Sequence, residues 1–288
     1  MEIKKVLIIG AGTMGRGIAQ WFAQQGVCVE LTDAVFEMAS KSQIMIEDSL
    51  KALESKGKFT ADQVSATISK LSIIEIEKVS TDSDLVIEAI IEDLKIKTDL
   101  FLNLDQKMSK HTIFASNTSS IPITTLARNL SQERKEKMIG LHFFNPATIM
   151  KLVEIIETPW TSKDLTNTLD AWFSHEGKKP AICKDYPGFI VNRVARNFYG
   201  EAFQVLESYD QERIREIDEV MTEVGGFKMG PFTLMDLIGI DINYDVTCSV
   251  WKSYYNDPRF RPHRIQKEMV DSGRIGKKAG KGFYSYDK

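Results

Sequence analysis

Two groups of residues in this 288-residue chain have the types and spacing to do chemistry. The first is Gly10-Ala11-Gly12-Thr13-Met14-Gly15, which follows directly on the apolar run Val6–Ile9 and precedes a helix-like segment. In such a strand–loop–helix passage the first glycine allows the tight turn. The second lets a pyrophosphate approach the backbone, and the third lets helix and strand pack closely. The N–H groups at the start of the helix, around Thr13 and Met14, would then face the phosphates together with the positive end of the helix dipole. A second apolar run ends in Asp33, 21 residues after Gly12, where a carboxylate accepts the ribose hydroxyls and repels a 2′-phosphate. Ala34 and Val35 follow in place of an arginine, so the pattern points to NAD rather than NADP. An FAD site or a nucleotide fold without function remains the alternative.

The second group is His142, at the end of the apolar run Met138–His142, and Glu154, twelve residues on within Lys151–Ile156. Acidic residues are seldom buried without a partner. A strand–loop–strand path could bring Glu154 back to His142, where a paired carboxylate would fix the imidazole tautomer and favour its taking up a proton. On the residues alone, a lone histidine of this kind is more often structural, with Glu154 simply salt-bridged.

The elements that must position these groups follow from the hydrophobic pattern. Strands are expected at Ile3–Ile9, Val27–Thr32, Asp84–Ala89, Thr112–Ser116, Met138–His142 and Lys151–Ile156, with helices between most of them. Strands alternating with helices imply a doubly wound, mostly parallel, Rossmann-like α/β sheet. Val35–Leu71, with Gly57 in its middle, reads as a helical-hairpin insertion. Pro187-Gly188 punctuates the chain, and beyond it the pattern is helical, so the expected domains are 1–185 and an all-α 186–288. There Ile190, Val194, Phe198 and Val205 form a stripe expected to be buried.

A net charge of −3 argues against a general polyanion binder, so no nucleic-acid partner is expected. The basic stretch Arg274–Lys281 is short and interleaved with glycine, which fits a structural element or subunit contact better. Cys28, Cys183 and Cys248 are odd in number and scattered, which speaks against disulfides and against a thiolate metal site. They suit a reducing, cytoplasmic location. No run of about 20 apolar residues is present, so no membrane span is expected. The strand-like run from Ile3 leaves no room for a signal peptide.

Taken in order, GAGTMGRGIAQ (10–20), DLVIEAI (84–90), FASNTSS (114–120), GLHFFNP (140–146), MKLVEII (150–156), KDYPGFIVNR (184–193), MGPF (229–232) and GKGFYSY (280–286) make the chain resemble the 3-hydroxyacyl-CoA dehydrogenase family nearly end to end. The resemblance implies NAD-dependent oxidation of an (S)-3-hydroxyacyl-CoA to the 3-oxo form and the reverse, in fatty acid β-oxidation or butanoate-type metabolism. It also implies an NAD-binding domain and a helical domain that contributes to the substrate cleft and builds a homodimer. It makes His142 the catalytic base and Glu154 its partner, with Ser119 and Asn192 at the reacting oxygen. It puts Glu92 and Lys97 at the nicotinamide end, and Asn117 and Asn145 in the same cleft. Ser49 and Lys56 fall where the family contacts CoA. Without the family, Ser119 and Asn117 could instead cap a helix starting near Pro122, and the helix lysines could be a solvated face. Ala147-Thr148-Ile149 departs from the more usual proline-containing loop. Two other readings remain: a dehydrogenase of a free hydroxy acid such as a sugar acid or carnitine, and a non-catalytic, crystallin-like relative.

Overall fold

The computed structural model describes residues 2–286. The chain divides into two compact units, Met1–Tyr186 and Pro187–Lys288.

The first unit is built on one eight-stranded sheet. Its strands are β1 (Lys5–Ile9), β2 (Cys28–Thr32), β3 (Leu71–Ile73), β4 (Leu85–Glu88), β5 (Ile113–Ser116), β6 (Met138–Phe143), β7 (Leu152–Glu157) and β8 (Lys179–Lys184). Their spatial order is β3-β2-β1-β4-β5-β6-β7-β8. Every neighbouring pair is parallel except β6 and β7. The central strands β1, β4, β5 and β6 are almost wholly buried, which explains why they read as unbroken apolar runs. All six expected strands form, with ends shifted by a residue or two. Two further strands carry no such apolar run. β3 has three residues, and β8 (Lys-Pro-Ala-Ile-Cys-Lys) is an edge strand of mixed polarity.

Helix α1 (Thr13–Gln24) buries Ile18, Trp21 and Phe22 against the sheet, where they join an aromatic cluster with Phe143, Trp172 and Phe173. The insertion is a hairpin of α2 (Phe36–Ser55) and α3 (Ala61–Ser69). Gly57 takes a φ of +66° at the turn between them. Thr60 and Gln63 then form a reciprocal capping box that starts α3. Helices α4 (Leu94–Lys107), α5 (Ile123–Ala127), α6 (Gln132–Lys135) and α7 (Lys163–His175) complete this unit.

The second unit is helical, with α8 (Val191–Leu206), α9 (Gln211–Glu219), α10 (Pro231–Ile238), α11 (Ile240–Ser253) and α12 (Arg264–Asp271). Its core holds Tyr199, Phe203, Leu206, Ile214, Phe232, Met235, Met269 and Phe283. The expected buried stripe is a correction. Ile190, Val194 and Val205 are exposed, at 39%, 63% and 51%, and Phe198 is half-buried. The face of α8 that enters the core carries Arg196, Tyr199, Ala202, Phe203 and Leu206. An arginine can lie on that face because it is satisfied there: Nε donates to Asn192 O, and a terminal nitrogen donates to Asn243 O and Thr247 Oγ1. The helix has two apolar stripes of equal period, and periodicity cannot choose between them.

Two buried aspartates explain motifs at the far end of the chain. Asp218 accepts the N–H groups of Phe232 and Thr233 at the start of α10, next to Gly230 and Pro231, and also the hydroxyl of Tyr284. Asp236 accepts Phe283 N, Tyr284 N and the Tyr286 hydroxyl. The MGPF and GKGFYSY segments are thus parts of one capped core.

Glu157, at the end of β7, is 4% exposed and accepts the ammonium groups of Lys163 and Lys184 at 2.6 and 2.7 Å. Burial pushes its carboxyl up. The hydrogen bonds from Lys163, Lys184 and Thr166, with the Lys163 charge, outweigh that and hold it at about 2. A carboxyl lower in the folded chain than in the unfolded one, near 4.3, stabilises the fold above that pH and loses the contribution as pH falls towards 2. The stability gap between the wild type and Glu157→Gln in urea unfolding should therefore be full at pH 7 and shrink to about half at pH 3. An equal gap at both pH values would refute this account.

Candidate active site

The glycine loop is held by close backbone approaches. Gly10 has a φ of +104°, and a Cβ there would run into the backbone of Ala89 after β4. A Cβ on Gly15 would land on the carbonyl oxygen of Gly10. Gly12 is different: nothing lies within 4 Å of where its Cβ would be. Gly12 is also the N-cap of α1 and offers no side chain to the first-turn N–H groups, at Thr13 and Met14 among others. Open space over unpartnered amide donors is what a pyrophosphate needs. Asp33 leaves the end of β2 and accepts Ala11 N at 2.7 Å and Val35 N at 3.0 Å, so its carboxylate is fixed beside the glycine loop. The Ser42 hydroxyl of α2 donates to Ala11 O and braces the loop from the other side. These residues fit a dinucleotide.

On the other side of β1, strands β4 and β5 end in a charged network. Glu88, the last residue of β4, is fully buried and pairs with the buried ammonium of Lys97 on α4. It also accepts Ile90 N at 2.8 Å and the Ser116 hydroxyl at 2.6 Å. Lys97 reaches Glu92 at 3.2 Å. Glu92 in turn accepts the hydroxyls of Thr118 and Ser120, and Ser119 N at 3.3 Å. Burial works to raise the Glu92 carboxyl, but the Thr118 hydrogen bond, the Lys97 charge and the Ser120 hydrogen bond keep it below the ordinary value. Asn117 donates its N–H to Glu88 O, and its side-chain oxygen accepts Phe143 N at 2.9 Å, so one residue clamps the ends of β4, β5 and β6. Neither Asn117 nor Ser119 caps α5. The N–H groups of Ile123 and Thr124 are accepted by Asp185.

His142 and Glu154 stand directly opposite each other in the antiparallel β6–β7 pair. His142 Nδ1 and Glu154 Oε2 are 2.6 Å apart, with the histidine side chain 9% exposed and the glutamate 0%. The expected pair is therefore formed. β5 and β6 are neighbours, with Ser116 opposite Gly140, so the loop carrying Ser119 leaves the sheet at the same end as His142. Asn145 is exposed in the turn after β6. That turn is held by Lys178, whose buried ammonium donates to Ala147 O and Met150 O and lies 4.6 Å from the centre of the Trp21 ring. Burial pushes the Lys178 ammonium down to about 8.

Of the two residues expected to meet CoA, Ser49 accepts Gln20 Nε2 at 3.4 Å, and Lys56 is the C-cap of α2; both are exposed. Seven residues apart, they share one side of that helix. Asn192 belongs to the second unit, half-buried in the first turn of α8. The sequence reading did not single out Glu88, Lys178 or Asp185. For Glu88 a signal exists, a carboxylate directly after the three apolar strand residues Leu85-Val86-Ile87. Lys178 and Asp185 carry none.

The family model for the 3-hydroxyacyl-CoA dehydrogenase NAD binding domain matches residues 5–186, and that for the C-terminal domain of the same family matches 188–286. The hydroxyacyl-coenzyme A dehydrogenase, mitochondrial, of Rattus norvegicus is 42% identical over 291 residues, covering 99% of this chain and 91% of that protein. A probable 3-hydroxybutyryl-CoA dehydrogenase of Bacillus subtilis is 38% identical, covering 100% of this chain and 99% of that protein. Among solved structures, 3-hydroxybutyryl-CoA dehydrogenase from Escherichia coli K12 superposes with a TM-score of 0.93 at 40% identity, covering 99% of this chain but only 60% of that longer one. The (S)-3-hydroxybutyryl-CoA dehydrogenase of Ralstonia eutropha gives 0.89 at 36% identity, with both chains fully covered.

The glycine geometry separates two variants. Gly12→Ala should keep the melting temperature within about 2 °C, because its Cβ enters open space, yet weaken NADH binding about tenfold or more by obstructing the phosphates. Gly15→Ala should lower the melting temperature by far more, because the clash is with backbone. Thermal melts and NADH titration measure both, and unchanged NADH affinity in Gly12→Ala would remove the pyrophosphate from this loop.

Proposed function

This chain belongs to the 3-hydroxyacyl-CoA dehydrogenase family, and from that premise we propose how its residues carry out the reaction. It is an NAD-dependent oxidoreductase of Rossmann-like fold that oxidises 3-hydroxyacyl-CoA to the 3-oxo thioester, and runs the reverse. The observation that carries the residue-level reading is the buried 2.6 Å contact between His142 Nδ1 and Glu154 Oε2.

With Nδ1 held by the carboxylate, the proposal assigns Nε2 of His142 to the substrate hydroxyl. His142 takes the hydroxyl proton there as a general base, a role that typically contributes about 10²–10⁴-fold. Glu154 keeps the imidazole in one orientation and stabilises the imidazolium that forms. The Ser119 hydroxyl donates a hydrogen bond to the same substrate oxygen, which matters most when that oxygen bears charge. When bound, NAD supplies the hydride acceptor. Gly10, Gly12, Thr13, Met14 and Gly15 take its pyrophosphate, Asp33 its adenosine ribose, and Glu92, Lys97, Asn117 and Asn145 frame its other end. Asn192 is assigned the amide that the family motif places at the reacting oxygen. Ser49 and Lys56 are assigned to the CoA moiety.

The partner is proposed to be a second copy of the chain, joined through the helical unit. The support is its surface: Val194, Val205, Val220, Val224, Leu237 and Ile242 are each half or more exposed. A monomer rarely leaves so many large apolar side chains in water. The three cysteines are unpaired, which suits a reducing, cytoplasmic compartment.

The assay follows NADH oxidation with acetoacetyl-CoA and, in parallel, with free 3-keto acids. Turnover of the thioester alone is expected; turnover of free acids alone would transfer the enzyme to the hydroxy-acid dehydrogenases. His142→Gln should keep the fold and NADH binding while losing 10²-fold or more of kcat, roughly the contribution of a general base. Glu154→Gln should lose activity and displace the pH–rate profile. Full activity in His142→Gln would sink the assignment. Sedimentation at micromolar concentration should give twice the chain mass, and Val194→Asp should return the monomer; a wild-type monomer would refute the dimer.

A further inference from the structure

The charges at the ends of β4 and β5 do not balance. Glu88 and Lys97 are 0% and 1% exposed, and Glu92 adds a second carboxylate to the same ammonium at 3.2 Å. Two carboxylates and one ammonium leave a formal charge of −1. The network is fully hydrogen-bonded: Ser116 and Ile90 N donate to Glu88, and Thr118 and Ser120 donate to Glu92. These donors hold both carboxylates in place without neutralising them. Lys97 also reaches the carbonyl of Ile90, so the surplus negative charge is not offset by another cation in these contacts.

The sheet order says what lies above this charge. The glycine loop sits between β1 and α1, and Asp33 marks the adenosine side at β2. A dinucleotide anchored there runs its other half across the carboxyl ends of β4 and β5 towards β6, which carries His142. The nicotinamide ring is a cation when oxidised and neutral when reduced. A fixed charge beneath it interacts with the two forms unequally, Glu88 and Lys97 being shielded from water while Glu92, 39% exposed, is partly screened.

We infer that the Glu88–Lys97–Glu92 cluster poises the enzyme between the two redox forms of its cofactor, its surplus negative charge raising affinity for NAD+ relative to NADH. Glu88 and Lys97 are in this sense positioning residues, acting through a field rather than through contact with the reacting atoms. The inference rests on the NAD reading above.

The experiment titrates NAD+ and NADH separately into purified protein and reads the ratio Kd(NAD+)/Kd(NADH). Glu92→Gln makes the cluster neutral and should raise the ratio about fivefold or more. Lys97→Met makes it −2 and should lower the ratio by a similar factor. The double variant Glu88→Gln/Lys97→Met leaves Glu92 alone at −1, and its ratio should stay within about twofold of wild type. Exchanging a buried pair for neutral isosteres is generally tolerated, so the double variant and Glu92→Gln carry the test even where Lys97→Met does not fold. A merely structural role moves both single variants the same way. That outcome, an unmoved ratio in Glu92→Gln, or loss of both cofactor forms by Glu92→Gln and the double variant alike overturns the inference. Failure of the wild type to bind either form would instead strike the NAD reading itself.

Discussion

A wholly buried carboxylate must find a partner, and for Glu154 that partner is set by strand direction. β7 is the one strand that runs against its neighbour β6, and the pairing register sets His142 opposite Glu154. Directly opposed residues in an antiparallel pair point to the same face of the sheet, within side-chain reach. A slip of one residue would turn Glu154 to the other face. The short connection from Phe144 to Lys151 is compatible only with reversal, since a parallel return needs a crossover of a dozen residues or more. The pairing of His142 with Glu154 follows from that reversal.

Around this pair the sheet's carboxyl end is stiffened by groups that are costly to leave unpaired. Asn117 ties three strand ends together, Glu88 and Lys97 fasten α4 to β4, and Lys178 pins the turn after His142 by two carbonyls. The Lys178 ammonium has carbonyls and aromatic faces as its partners. Removing one member of such a set strands another in a medium that cannot solvate it, which is why these contacts specify geometry more than they add stability. The glycine loop achieves the same rigidity by backbone packing, leaving its one open position at Gly12.

The helical unit obeys a different economy. Its core is closed by Asp218 and Asp236, which gather the start of α10 and the segment 282–286 into one hydrogen-bonded knot. Its surface keeps a set of valines, leucines and isoleucines outside. The stripe on α8 that reads as core belongs to that surface, while Arg196 takes the inner face because three oxygens satisfy its guanidinium.

Much of this protein is determined locally and could be read before any coordinates. Buried parallel strands announce themselves as apolar runs, the glycine loop and Asp33 carry their spacing in the chain, and the hairpin turn is marked by Gly57. His142 and Glu154 were legible as a histidine at a strand end and a carboxylate amid apolar residues. Periodicity describes each element alone, however, and says nothing of what faces it. Only the tertiary structure decided the register that sets Glu154 opposite His142, and that α8 turns its arginine inward. Edge strand β8, of mixed polarity, likewise completes the sheet without an apolar run to announce it. Only the fold reveals that Glu88, Lys97 and Glu92, spread over ten residues of strand, loop and helix, share one charge cluster. Partnership across elements is a property of packing, and burial makes that partnership obligatory for a charged group.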